Sequence, residues 1–140
     1  MALRYLLDTN ICIYIAKQRP PAVAKRFARL AAGTVGMSLI TFGELRHGAE
    51  KSARRKETLA ALERLVEVIP VIEPDAAVGA AYGALRAQLE RTGTPIGNND
   101  LWIAAHALCL GVTLVSNNTR EFERVPKLKL ENWAEVKALE

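Results

Sequence analysis

The stretch Leu3-Arg4-Tyr5-Leu6-Leu7-Asp8-Thr9-Asn10 decides how this chain folds. Its apolar run is as long as a short strand and stops at a carboxylate that is followed by two small polar residues. Ile11, Tyr14 and Ile15 then recur at helical spacing, which predicts a strand, a tight turn and a helix. In an open parallel sheet, ligands bind beyond the carboxyl ends of the strands. Asp8 is therefore predicted to stand in a ligand-binding crevice.

The composition is that of a globular protein, and we expect one domain over residues 1–140. Half of the residues (50%) are hydrophobic and 24% are charged, which excludes a disordered or fibrous chain. The net charge of +4 is compatible with a nucleic-acid partner without establishing one. Cys12 and Cys109 are isolated, so neither a disulfide framework nor a zinc motif is indicated. With no stretch typical of a membrane span, this favours a cytoplasmic protein.

Strands and helices alternate along the rest of the chain, which predicts an α/β fold with a central, mostly parallel sheet. After the first strand, strands are predicted at residues 35–40, 68–72, 112–115 and 127–130. Helices are predicted over residues 22–32, from Thr41 towards Ser52, from Arg54, over 75–91 and 98–110, at 119–123, and as a turn or helix from Asn132. Pro70 favours an edge position for its strand.

Asp8, Glu44 and Asp100 occupy equivalent places, just after a strand or in the first turn of the next helix. Each has a structural explanation when it is taken singly. Asp8 can cap its helix, residues 41–44 match the capping box T-x-x-E, and Asp100 suits the helix dipole. Capping does not explain three acids at one crevice, where like charges raise each other's pKa unless a cation neutralises them. Mg²⁺ fits such a set of ligands, and the absence of neighbouring His and Cys argues against zinc.

Taken in order, these motifs resemble those of PIN-domain ribonucleases, specifically the VapC-type toxins of toxin–antitoxin pairs. The matching segments are residues 6–10, 38–49, 94–107 and 114–126, ending at Trp133. The resemblance implies a PIN-like three-layer α/β/α sandwich and an endoribonuclease that uses Mg²⁺, or Mn²⁺, to hydrolyse RNA and inhibit translation. It also implies a homodimer and a cognate VapB-type antitoxin that blocks the site.

The resemblance assigns roles to five residues of this chain. Asp8, Glu44 and Asp100 fall on the family's acidic metal-binding positions. Asp8 and Asp100 are expected to contact the metal directly, and Glu44 to ligate through water or to orient the nucleophile. Thr9 and Ser116 fall where small hydroxyl residues line the pocket.

One departure from the family pattern concerns a fourth acid. Many PIN domains carry it after the last core strand, where this chain has Asn117 and Asn118. Asn118 is the closer match, and its amide can coordinate or hydrogen-bond but brings no charge. A weaker second-metal site is the expected consequence, for which Glu121 can compensate.

Other functions and roles stay open at the level of sequence. A phosphatase of the aspartyl-phosphate type is disfavoured because residues 8–10 lack a second acid two positions after Asp8. A non-catalytic PIN-fold module that binds RNA or protein is kept open by the two asparagines. His106 is expected to be a helix histidine rather than a general base, and Trp102 and Trp133 to pack rather than to stack on a base.

Overall fold

Five strands and seven helices alternate through residues 2–134, the part of the chain that this computed structural model describes. The strands are β1 (Tyr5–Leu7), β2 (Val35–Ser38), β3 (Val71–Ile72), β4 (Thr113–Val115) and β5 (Leu130–Glu131). The helices are α1 (Thr9–Lys17), α2 (Pro21–Ala28), α3 (Leu39–Glu50), α4 (Arg55–Val68), α5 (Ala76–Arg91), α6 (Asn98–Leu110) and α7 (Thr119–Phe122). Within this range no helix combines the length and apolar character that crossing a membrane would need.

The strands form one parallel sheet in the order β3-β2-β1-β4-β5. The apolar strand β1 lies at its centre, and β3, which follows Pro70, lies at one edge as predicted. Leu7 of β1 pairs with Val115 of β4, and the Asp8 amide donates to the Val115 carbonyl at 3.0 Å. This register brings Asp8 and Ser116, the residues that follow the two strands, out of the sheet side by side.

Alternate residues of the central strands pack on opposite faces of the sheet. Tyr5 and Leu7 join a core with α1, α2 and α4, whereas Leu6 joins a second core with α5, α6 and α7. Leu6 and Leu7 are both fully buried, as expected for a parallel sheet that is covered on both sides. The predicted α/β/α sandwich is therefore confirmed.

Two predicted boundaries are wrong around β2. The strand ends at Ser38 rather than residue 40, because the Ser38 hydroxyl accepts from the Ile40 amide at 3.2 Å and caps α3. Thr41 consequently lies inside α3, so the predicted capping box is not formed. The Thr41 hydroxyl is buried without a partner among the described residues, and Glu44 accepts from Thr9 instead.

Three other predicted elements need correction or fall partly outside the described range. The helix predicted over residues 22–32 is shorter, since α2 spans Pro21–Ala28. The last strand is β5 rather than residues 127–130, because Lys127 has a φ of 67° that no strand accommodates. The turn or helix predicted from Asn132 falls largely on residues 135–140, outside the described residues.

Candidate active site

Four acidic side chains meet at the carboxyl edge of the sheet, and we call them the acidic site. Asp8 follows β1, Glu44 lies on α3, Asp100 is in the first turn of α6, and Glu121 is on α7. Burial and then the negative charges of Glu121, Asp8 and Glu44 raise the pKa of Asp100, so all three acids lie within electrostatic reach of it. Elements that are far apart in sequence therefore bring these acids together.

Asp8 is a buried carboxylate that also begins a helix. It is 5% exposed, and its Oδ1 accepts from the Ile11 amide at 3.0 Å, which makes it the N-cap of α1. Burial raises the pKa of Asp8 to about 6, hydrogen bonds from the Ser116 side chain and the Ile11 amide oppose that shift, and the charge of Glu44 adds to it. Hydrogen bonds thus fix the position of the Asp8 carboxylate, but they do not fully offset the cost of burying its charge.

Glu44 is positioned by the first residue of α1. The Thr9 hydroxyl donates to Glu44 Oε1 at 2.6 Å, which connects α1 with α3 across the site. Thr9 directly follows Asp8 in sequence, so the same turn positions both Asp8 and the hydroxyl that binds Glu44.

Asp100 and Glu121 are held by a network of side-chain and backbone donors. Asn118 Nδ2 donates to Glu121 Oε2 at 2.7 Å and to Asp100 Oδ2 at 3.4 Å, and the Gly97 amide donates to Glu121 Oε1. A Cβ at Gly97 would lie 3.3 Å from Glu121 Oε1, a tight contact, so a glycine leaves room for that carboxylate. Sequence reasoning missed Gly97, whose only signal was a glycine directly before a helix.

The protonation states of these two acids are linked. Burial, then the charge of Glu121 and a hydrogen bond with it, raise the pKa of Asp100 to about 7. At Glu121, burial raises the pKa, whereas hydrogen bonds with Gly97, Asn118 and Asp100 lower it. The hydrogen bonds have the larger combined effect, so the pKa of Glu121 is lowered. Burial and the neighbouring charges therefore favour the neutral form of Asp100, and Glu121 is the more acidic of the two.

The chemistry of these donors suits a hard divalent cation. No three His, Cys, Asp or Glu side chains of residues 2–134 stand close enough to hold an ion by themselves. Mg²⁺ does not need such a cage, because it is usually bound by one or two carboxylates and keeps several waters. Asp8 is buried and Asp100 half-buried, and the charges of the two carboxylates repel, so a cation between such groups would relieve both the desolvation and the repulsion.

The other side chains weighed from the sequence have structural contacts. His106 is buried in α6 with Nδ1 at 2.9 Å from Ser38 Oγ, and burial lowers its pKa. Trp133 is buried and packs edge-to-face on Tyr5 with ring centroids 5.4 Å apart. Trp102 is half-buried and stacks on Tyr82 at 3.8 Å.

Comparisons with known proteins identify the family of this chain. The sequence model of the PIN domain family matches residues 5–128 of this chain. The chain is 46% identical over 132 residues to the tRNA(fMet)-specific endonuclease VapC of Shigella flexneri, covering 94% of this chain and 99% of that protein.

Two solved structures share the fold over nearly their whole length. The DNA-bound VapBC complex from Salmonella typhimurium contains a chain that is 40% identical to this one, with a TM-score of 0.88. The alignment covers 94% of this chain and 98% of that chain. VapBC-1 from nontypeable Haemophilus influenzae gives a TM-score of 0.87 at 40% identity, with 95% and 100% covered. The match over residues 5–128 and these near-complete alignments show that the chain belongs to the PIN-domain family, in the branch of the VapC ribonucleases.

Proposed function

We propose that this protein is a VapC endoribonuclease toxin that hydrolyses RNA phosphodiester bonds and thereby inhibits translation in the cytoplasm. The observation that carries the proposal is the convergence of Asp8, Glu44 and Asp100 at one edge of the sheet, with the pKa of Asp8 and of Asp100 raised by burial. Family membership supplies the reaction class. We assign the activity to a single PIN domain that spans residues 1–140.

Asp8 and Asp100 are the proposed ligands of the divalent cation, Mg²⁺ or Mn²⁺. When bound, the cation polarises the phosphodiester and acidifies water. Asp8 is suited to this role because the cap of α1 and Ser116 fix its carboxylate at the crevice. Asp100, whose pKa is raised by burial and by Glu121, must be ionised to act as an anionic ligand.

Glu44 and the surrounding polar groups orient the reactants. Glu44 accepts from Thr9, which holds its carboxylate over the crevice where it can accept a proton from the attacking water. Asn118 donates to both Asp100 and Glu121 and occupies the place of a fourth acid without adding negative charge. Glu121 supplies that charge from the next turn of the chain, so one strong cation site and one weaker site are expected.

The proposed partners are RNA, a VapB-type antitoxin and a second copy of this chain. The solved relatives from Salmonella and Haemophilus are VapBC complexes, which supports an antitoxin for this chain. Release of an active ribonuclease only when that antitoxin is absent explains how a cell tolerates the protein. The relative from Shigella is named for tRNA(fMet), which makes initiator tRNA the first RNA to test.

The test is cleavage of purified RNA by the purified chain. End-labelled initiator tRNA, an elongator tRNA and a structured messenger fragment are incubated with wild-type protein and with Asp8→Asn, in Mg²⁺, in Mn²⁺ and in chelator. The proposal predicts discrete cuts that need a divalent cation and Asp8. RNA that is bound but never cut under any of these conditions would instead support a non-catalytic module.

A further inference from the structure

A second recess lies on the other flank of the first turn of α6. It is a pocket of about 120 Å³ between α5 and the loop that precedes α6. Leu89, Ile96 and Leu101 supply apolar walls, while Arg86, Glu90 and Asn98 supply polar groups. Nothing in the proposed hydrolysis uses this pocket.

The polar rim of the pocket is preorganised by aromatic side chains. Tyr82 is stacked on Trp102 with 9° between the ring planes, so its hydroxyl is fixed. That hydroxyl accepts from Arg86 Nη1 at 3.0 Å and donates to Asn98 Oδ1. With Oδ1 engaged, Asn98 presents its amide nitrogen as a donor, and the Arg86 guanidinium has further N–H groups.

The pocket lies close to the acidic site. Asn98 and Asp100 are two positions apart in α6, so they point to nearly opposite sides of a helix that is about 10 Å across. The Gly97 amide, which directly precedes Asn98, donates to Glu121 of the acidic site. A strand whose phosphate lies at Asp100 therefore carries a neighbouring nucleotide past the rim of the pocket.

We propose that this pocket binds a base of the RNA next to the cleaved bond and gives the enzyme its sequence preference. The inference rests on the proposed ribonuclease function. Apolar walls combined with both donors and an acceptor suit a heteroaromatic base, whose edge offers complementary groups. A phosphate is disfavoured here, because Glu90 pairs with Arg86 at 3.4 Å and the two leave no net positive charge to hold it. Arg86 and Asn98 are thus specificity residues, and Tyr82 is a positioning residue.

The first test is single-turnover cleavage of RNAs that carry each of the four bases at the positions flanking the cut. Wild type should prefer one base at one position, and Arg86→Ala or Asn98→Ala should reduce that preference about tenfold. Arg64→Ala, an exposed arginine on α4, is the matched control and should keep the preference. Wild type without a preference, or variants that slow all sequences equally, would overturn the proposal.

The second test does not depend on cleavage. Full-length Asp8→Asn protein that also carries Trp133→Phe, so that Trp102 is the remaining tryptophan, is titrated with the four ribonucleoside 5′-monophosphates while fluorescence is followed. One base should bind most tightly, and Asn98→Ala should abolish the difference between bases. Base-selective binding by this variant, together with a wild-type protein that cuts no RNA, would refute the ribonuclease function and keep the pocket. RNA cutting by the wild type, together with no base selectivity in this variant, would refute the pocket and keep the ribonuclease function.

Discussion

The acidic site has two halves that are built differently. In the Asp8–Glu44 half, Asp8 is buried, is bonded to the Ile11 amide and serves as the cap of α1. In the Asp100–Glu121 half, Asn118 donates to both carboxylates, the Gly97 amide donates to Glu121, and each acid shifts the pKa of the other. Asp8 therefore contributes to the stability of α1, whereas Asp100 and Glu121 contribute mainly to the electrostatics of the site.

Because of this difference, substitutions at Asp8 and at Asp100 should affect folding stability differently. A change at Asp8 alters both the start of a helix and the charge in the crevice, because the same carboxylate serves both. A change at Asp100 leaves the start of α6 intact, because a different residue, Gly97, is the N-cap of that helix. Substitutions can accordingly be chosen that affect one property and leave the other unchanged.

The largest expected effect is a loss of cleavage rate, and it should be similar for substitutions at Asp8 and at Asp100. Asp8→Asn and Asp100→Asn each remove one ligand charge at constant size, and we expect each to lower the cleavage rate about 100-fold or more. Both variants should stay folded, since asparagine is also a good helix cap. Rates are measured on end-labelled RNA at saturating Mg²⁺, with far-UV circular dichroism as the check on folding.

Asp75→Asn is the matched control for these two variants. Asp75 caps α5 by accepting from the Val78 amide at 3.3 Å, and it has no contact with the acidic site. Its substitution should leave the cleavage rate unchanged. A fully active Asp100→Asn protein would remove Asp100 from the cation site.

The second prediction concerns the pH dependence of stability in chelator. The folded protein keeps protons on Asp8 and Asp100 up to about pH 6 and about 7, whereas unfolded carboxyls release them near pH 4. The folded state thus binds more protons between these values, so the free energy of unfolding should fall as pH rises from about 4 to about 7.

Adding Mg²⁺ should reverse that loss. At about 100 times its dissociation constant, the ion should stabilise the wild type by about 2.7 kcal/mol at pH 8, and by less at pH 5, where protons compete for the same oxygens. Thermal unfolding with and without the ion measures both effects. A slope of stability against pH that is unchanged in Asp100→Asn would contradict the assigned cause.

Glu121→Gln should have an intermediate effect, confined to the Asp100 half. Losing this neighbour should weaken Mg²⁺ binding about tenfold, as is common for groups that orient a metal ligand. It should also lower the pKa of Asp100, because a negative charge and a shared hydrogen bond disappear. Mg²⁺ titrations of the cleavage rate at several pH values test both, with the exposed Glu123→Gln as control. Identical Mg²⁺ dependence in wild type and Glu121→Gln would assign Glu121 a structural role only.

The smallest expected effect compares the two halves directly. Asp8→Ala should be about 1 kcal/mol less stable than Asp8→Asn, because alanine cannot cap α1. Asp100→Ala and Asp100→Asn should differ less, because Asp100 caps no helix. Urea unfolding of the four proteins in chelator provides the comparison, and equal differences at the two positions would show that the halves are built alike.

The features that could be predicted from sequence are those set by local periodicity. The apolar run before Asp8 and the β-branched run before Ser116 end in polar residues, and both ends lie at the carboxyl edge of the sheet. Asp75 was predicted as a cap and is one. Such signals succeed because a strand that is buried on both faces must be apolar up to its last residue.

The error at the start of α3 arose because two residues offered the same local chemistry. Ser38 and Thr41 both carry a hydroxyl that can cap α3, and only the length of β2 in the sheet selects Ser38. The pairing of Thr9 with Glu44 crosses from one helix to another, so no pattern within either segment announces it.

Parts of the site depend on tertiary packing in the same way. Glu121 reaches Gly97 because the neighbouring Phe122 is fully buried and locks α7 in place. The pocket at Asn98 requires Tyr82, sixteen residues away, to stack on Trp102. Neither contact has a signature in the local sequence.

The most direct test of the central claim is anomalous diffraction from crystals of the full chain soaked in Mn²⁺. The account predicts a peak in contact with carboxylate oxygens of both Asp8 and Asp100, which disappears in Asp100→Asn crystals. A manganese ion bound only at other residues, in protein that cuts RNA in the same buffer, would contradict it.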